Sequence, residues 1–196
     1  MARSSAPSRD RIVAGAADLI SRRGLNAASI REVAKHAEAP LGSTYHYFPE
    51  GKQQLATEAV RYAGGTVARI LRKELQAGPV AGLRAFLDLW RGIVVASEFH
   101  AGCPVLAVSV EEPPADEIPP AVTAAAEAFE EWERLLAQAL RAHGADSERA
   151  PELAALIVAS VEGAIAMCRA KRSMDPLDQV ARQLEAIISG TLGRPA

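Results

Sequence analysis

Cysteine is scarce. Only Cys103 and Cys168 occur in 196 residues, which excludes a disulfide framework and fits reduced thiols in a cytoplasm. Metal-ligand spacing is also missing. His36, His46, His100 and His143 are scattered, and with the two cysteines they form no C-x-x-C or H-x-x-x-H pattern. No metal and no cofactor are expected. There is no glycine-rich phosphate loop and no nucleophile elbow, so an enzyme is not expected. No uninterrupted apolar stretch approaches the roughly 18 to 20 residues of a membrane span. The opening MARSSAPSRDR has no apolar core behind its basic residues, unlike a secretory signal. A cytoplasmic protein without membrane contact is expected. Glycine and proline are few, at 14 and 12, and no strand-like alternation is visible. Alanine is abundant, which favours helices. The fold class expected is all-α.

Net charge is −2, too acidic for a general binder of nucleic acid. Its distribution says more. Residues 1–52 carry eight Lys/Arg against five Asp/Glu, and the remainder carries fourteen against nineteen. A basic head on an acidic body means that only the head is suited to a polyanion. Domains are expected at 1–52 and 53–196.

The pattern gives about nine helices. Residues 1–7 read as an arm, with Arg3, Arg9 and Arg11 placed either in solvent or on phosphates. Ser8 is positioned to cap a first helix ending at Arg23, and Gly24 stops it. Ser29 caps a second helix, with Glu32 completing a capping box. Glu38-Ala39-Pro40 breaks that helix, and a third runs from Leu41 to Phe48-Pro49. Two short helices joined by three or four residues make a helix-turn-helix candidate. A long helix follows from Lys52 to about Ala77, ended by Gly78-Pro79. Further helices are expected over Val80–Glu98, Pro104–Val110, Ala121–His143, Pro151–Arg172 and Pro176–Leu192. The acidic, proline-rich run from Glu111 to Pro120 reads as an exposed connection.

The third helix carries the chemistry. Ser43, Thr44, Tyr45, His46 and Tyr47 place five hydrogen-bonding side chains in a turn and a half. Such groups can bond base edges and phosphates in a major groove. Gly42 allows a close backbone approach. Phe48 and Thr44 should face inward, while periodicity leaves Leu41 and Tyr45 open between the two faces. Lys52 at a helix N-terminus opposes the dipole and is suited to an external anion.

The three-helix head, the run GSTYHYFPEGKQQL (Gly42 to Leu55) and a helix-rich body resemble the TetR family of transcriptional regulators. The Pro-Glu-Gly-Lys form and Gly102-Cys103-Pro104-Val105 resemble its LmrA/YxaF-like branch. The resemblance implies DNA contacts from Leu41, Gly42, Ser43, Tyr45, His46 and Tyr47, a phosphate contact from Lys52, and a second-helix cap at Ser29. It places Tyr45 towards phosphate. Two positions depart from the family pattern. Glu38 stands where the turn glycine is usual, and a positive φ there is costly for a residue with a side chain. Thr44 stands where an aliphatic residue usually packs inward.

The resemblance also implies a small-molecule effector in the body, where Phe86, Trp90, Phe99, His100, Cys103, Phe129, Trp132, Met167 and Cys168 are candidates for the pocket wall, or for ordinary core. The effector expected is small, and apolar or aromatic. The last two helices, through Leu156, Ile157, Val161, Ile165, Leu184, Ile187 and Ile188, can pack on a second copy or close an intramolecular bundle. Together these features give a ligand-responsive repressor that binds a near-palindromic, double-stranded operator as a homodimer. An activator or ligand-independent regulator of the same fold, and a partner-binding helical protein with a vestigial head, are the alternatives.

Overall fold

The computed structural model describes residues 9–111 and 118–192. The expected arm, the Ser8 cap and most of the acidic proline run lie outside them. Nine α-helices and no strand occur among the described residues. They are α1 (Arg9–Arg23), α2 (Ile30–His36), α3 (Leu41–Tyr47), α4 (Lys52–Glu74), α5 (Pro79–Ala96), α6 (Pro104–Ser109), α7 (Pro120–Ala142), α8 (Arg149–Lys171) and α9 (Asp175–Leu192). The last turn after α4 tightens into a 3-10 segment, Leu75–Ala77, where an unbroken helix was expected. Gly78 then takes φ 108°, which glycine adopts without the penalty a side chain would meet, and the helix stops.

The chain forms two compact units. One combines the described residues up to Gly64 with Pro104–Glu127, and the other combines Gly65–Cys103 with the chain from Ala128 onward. The division thus differs from a single break after Lys52. The helix α4 gives its first half to one unit and its second half to the other.

In the first unit, α1 packs on α2, α3 and α6. Its apolar face, Ile12, Ala16, Leu19 and Ile20, is at most 2% exposed. A cradle for α2 comes from Gly15, where an added Cβ would lie 2.8 Å from Ala37 Cβ and 3.3 Å from Ala37 Cα. Arg9 pairs with Glu58 at 2.5 Å and places its guanidinium over the Phe48 ring. Arg9 and Arg11 therefore work inside the head, not on an extended arm.

In the second unit, α5, α8 and α9 pack on one another. Edge-to-face contacts join Phe86 to Trp90 and Trp132, and Phe129 to Trp132, with ring centroids 5.4 to 6.3 Å apart. Ion pairs Arg84–Glu185, at 2.9 Å, and Arg91–Asp178 join α5 to α9. By length and composition α8 is apolar enough to cross a membrane, with mean hydropathy 1.7 over its best 18-residue window. It is not an unbroken apolar run, since Glu162 interrupts it, and a core helix meets the same measure. Half of that window is buried inside the protein.

Candidate functional site

The turn between α2 and α3 is the first thing the head has to build. Ser29 caps α2, its hydroxyl accepting from the Glu32 N–H at 3.2 Å. The reciprocal half of the expected capping box is absent, because the Ser29 N–H donates to the Ala27 carbonyl. At the other end Glu38 adopts φ 50°, the left-handed region that costs a side-chain-bearing residue roughly 1 kcal/mol. Two contacts hold it there. The Ala39 N–H donates to Ala34 O at 2.8 Å, and Arg11 donates from α1 to the Glu38 carbonyl at 2.9 Å. The helix-turn-helix turn thus forms with glutamate at the glycine position.

Pro40 then starts α3 in an extended conformation with no side-chain cap. Two residues anchor α3 inward. Phe48 and Thr44 are both fully buried, and the Thr44 hydroxyl donates to Pro40 O at 3.1 Å. That bond satisfies the polar group that replaces an aliphatic one. With those residues inside, Tyr45 is 55% exposed and Leu41 37% exposed. The structure thereby resolves the ambiguity that periodicity left at both positions. Gly42 and His46 are exposed too, while Ser43 and Tyr47 are half-buried. No heavy atom lies within 4 Å of a Cβ built on Gly42, so its outer side is open.

The half-buried Lys52 reaches back over the head and donates to the Asn26 carbonyl at 3.2 Å. Beside it, the Glu111 carboxylate accepts from the Leu25 N–H and, at 3.1 Å, from the Asn26 N–H. Sequence reasoning did not find this contact, since Glu111 lies 85 residues further on in a run that looks merely acidic. A hollow of about 250 Å³ opens among Leu25, Asn26, Lys52, Glu111 and Pro120. On the far side of α1, Asp18 accepts from His36 at 2.7 Å and Arg22 at 2.8 Å. Partial burial pushes the Asp18 carboxyl up, but the bonds from Arg22 and His36 outweigh it and hold the group below its usual range.

The candidate pocket residues divide. Phe86, Trp90, Cys103, Trp132 and Cys168 are buried; Phe99 and Phe129 are half-buried; His100 and Met167 are exposed. Among them the Arg172 guanidinium lies over the Phe99 ring, and Arg169 donates to the His100 carbonyl at 3.0 Å. Burial pushes the Cys168 thiol up. Sequence reasoning missed the most unusual group of this unit, Glu162, because a lone acid in an apolar helix reads as its solvated edge. It is only 4% exposed, and neither carboxylate oxygen has a donor at hydrogen-bond geometry. Burial pushes its carboxyl up to about 8, while the Cys103 thiol acts in the opposite direction. The buried Trp90 Nε1 is likewise without an acceptor. Buried polar atoms left unmet cost about 1–3 kcal/mol each.

The candidate dimer residues also divide. Ile157, Val161, Ile165, Leu184 and Ile188 are at most 2% exposed within the protomer, while Leu156 is 46% and Ile187 37% exposed. The open pair flanks a hollow of about 230 Å³ on α8 and α9, shared with Ser160, Gln179, Val180 and Gln183. Met167, at 48% exposure, continues the open side of α8.

A family model described as bacterial regulatory proteins, tetR family, matches residues 12–59. Another, described as transcriptional regulator LmrA/YxaF-like, C-terminal domain, matches residues 79–183. The HTH-type transcriptional regulator Rv0196 of Mycobacterium tuberculosis is 42% identical over 187 residues, spanning 94% of this chain and 95% of its own. The HTH-type transcriptional regulator YxaF of Bacillus subtilis is 30% identical over 183 residues, spanning 92% and 95%. Among solved structures, a cysteine mutant of the TetR family regulator CifR, complexed with 26-base-pair operator DNA, superposes with a TM-score of 0.72 at 24% identity, covering 94% of this chain and 99% of that one. The chain belongs to the TetR family of DNA-binding, helix-turn-helix transcriptional regulators, and its body is of the LmrA/YxaF-like type.

Proposed function

We propose that the protein is a homodimeric repressor that holds a near-palindromic operator and releases it when a small, largely apolar effector enters the body. Residues 1–52 meet the DNA, and the later helices hold the effector and the partner subunit. The carrying observation is the way α3 is mounted. Thr44 and Phe48 lock one side into the head, so Leu41, Gly42, Tyr45 and His46 stand outward together. A helix held rigidly by its apolar side and bare on its polar side is what major-groove reading requires. Ser43 and Tyr47 flank that face and extend it to the sugar-phosphate backbone, and Ser29 serves at the start of α2. Lys52, already anchored on Asn26, keeps two ammonium protons for a phosphate.

A dimer presents two such helices to successive major grooves about 34 to 36 Å apart. The open apolar face of α8 and α9, with Leu156, Met167 and Ile187, is the surface that a second copy covers. Release by an effector demands that the effector bind the DNA-incompetent conformation more tightly. The carrier of that change is α4, which starts at Lys52 and continues beyond the head. A repressor of this kind works in the cytoplasm, where the operator is accessible.

The test is a gel shift with DNA from upstream of the gene, repeated over a salt series. Tyr45→Ala should weaken binding to every sequence. Lys52→Ala should do so as well and reduce the salt slope by about 0.9, the value of one lost phosphate contact. No retardation of that DNA at low salt ends the repressor reading.

A further inference from the structure

Among the described residues, the buried side-chain nitrogens and oxygens without a partner are three: both carboxylate oxygens of Glu162 and the indole nitrogen of Trp90. They sit on α8 and α5, two helices that pack against each other in the same unit. Packing alone does not account for them, since a methionine of similar volume would fill the Glu162 position with no polar atom to satisfy. A second observation points to the same place. The segment that brings Cys103 to Glu162 holds two consecutive non-glycine residues, Glu98 and Phe99, at φ 53° and 64°. Strained backbone of this kind persists only where its surroundings enforce it, and it gathers at ligand sites. The enforcement is visible. The buried Ser97 hydroxyl donates to Val94 O and accepts from the Ala101 N–H, both at 3.0 Å. From α8, Arg169 fastens the His100 carbonyl, and its Cδ would lie 3.0 Å from any Cβ added to Gly102.

We infer that Glu162, with Cys103 beside it, is an effector subsite that takes the protonated amine of an aromatic small molecule. The inference rests on the reading of the body as effector-binding, and it adds a charged anchor to an effector otherwise described as apolar. The chemistry follows from what is unmet. A buried carboxylate is stabilised by a donor, most of all by a cation that neutralises it. Ring faces such as those of Phe86, Trp90 and Trp132 accept both an aromatic frame and a cation.

The test is calorimetric titration of the full chain just above pH 8, where Glu162 has largely lost its proton, with two matched probes, 2-naphthylmethylamine and 2-methylnaphthalene. The amine should bind the native protein at least about tenfold more tightly than the hydrocarbon, the least expected of one hydrogen bond to a charged group. Glu162→Gln and Glu162→Met should both lose that preference while binding the hydrocarbon as before. Two variants are used because either could fail to fold, which circular dichroism reports. The inference is overturned if the native protein does not prefer the amine, or if the preference survives in a folded variant. No DNA is present in this titration. An amine that binds but leaves the operator complex intact therefore counts against release by an effector, not against the subsite.

Discussion

Replacing Glu162 by glutamine should change how stability depends on pH. In the folded protein burial raises this carboxyl from an ordinary 4.5 to about 8. Between those values the folded state keeps a proton that the unfolded chain has already lost. Stability is therefore fully present below the unfolded pKa and is lost as pH rises towards the folded one. At about 1.4 kcal/mol for each pH unit, the full loss is about 5 kcal/mol, of which about 4 falls between pH 5 and pH 8. That is a large part of the roughly 5–15 kcal/mol that holds a typical domain together. Carboxylates held low, such as Asp18 and Glu185, act in the opposite sense and largely below this window. Glutamine keeps the shape and has no proton to lose. The assay is urea unfolding at pH 5 and pH 8, at one fixed protein concentration because association also contributes to stability. The native protein should lose about 4 kcal/mol more than Glu162→Gln over that range. Parallel pH profiles for the two proteins would refute the reasoning, since Glu162 would then be ionised in the fold or open to water.

Other perturbations follow from the head and from the open apolar face of α8 and α9. Glu38→Gly should raise the unfolding free energy by roughly 1 kcal/mol, because glycine adopts the left-handed turn without the side-chain penalty; no gain in a denaturant midpoint would mean that the turn is not strained. Gly15→Ala should lower stability by about 1–3 kcal/mol despite alanine's better helix propensity, because the new methyl meets Ala37 Cβ and backbone; unchanged thermal unfolding would refute the close approach. Leu156→Glu with Ile187→Glu should yield monomers in sedimentation, and a dimer that survives both charges would place the partner contact elsewhere.

Much of the fold is legible in local chemistry. Glycines at 24, 78 and 144 end helices where the apolar stripes end, and all three take positive φ. Phe48 and Thr44, one turn apart, are legible as the inward pair of α3, while Leu41 and Tyr45 on the same stripe are not. Glu38 was visible as an exception because turn geometry is a local matter. The less legible features join residues far apart in sequence. Nothing in the sequence places Glu111 on the amides of Leu25 and Asn26, or Glu162 beside Cys103. Arg11 looks like a tail cation until the turn it fastens has formed. In α8 apolar and small residues lie on every side, so periodicity could not separate the residues that face inward, such as Ile157 and Val161, from those that stay open, such as Leu156. The same uniformity concealed a buried acid.

The bonds from Glu111 to the turn after α1 bear on how such a protein can be cut and recombined. The unit that contains α3 also includes α6 and the start of α7, so it is assembled from two stretches of chain. Severing the polypeptide after Lys52, or after Gly64, removes the cover that α6 places on α1 and the carboxylate that ties down Leu25 and Asn26. The helix-turn-helix unit is not a detachable cassette. A chimera that grafts α1 to α3 onto a foreign body must carry Pro104–Glu127 with them, or supply an equivalent acid and an equivalent apolar lid.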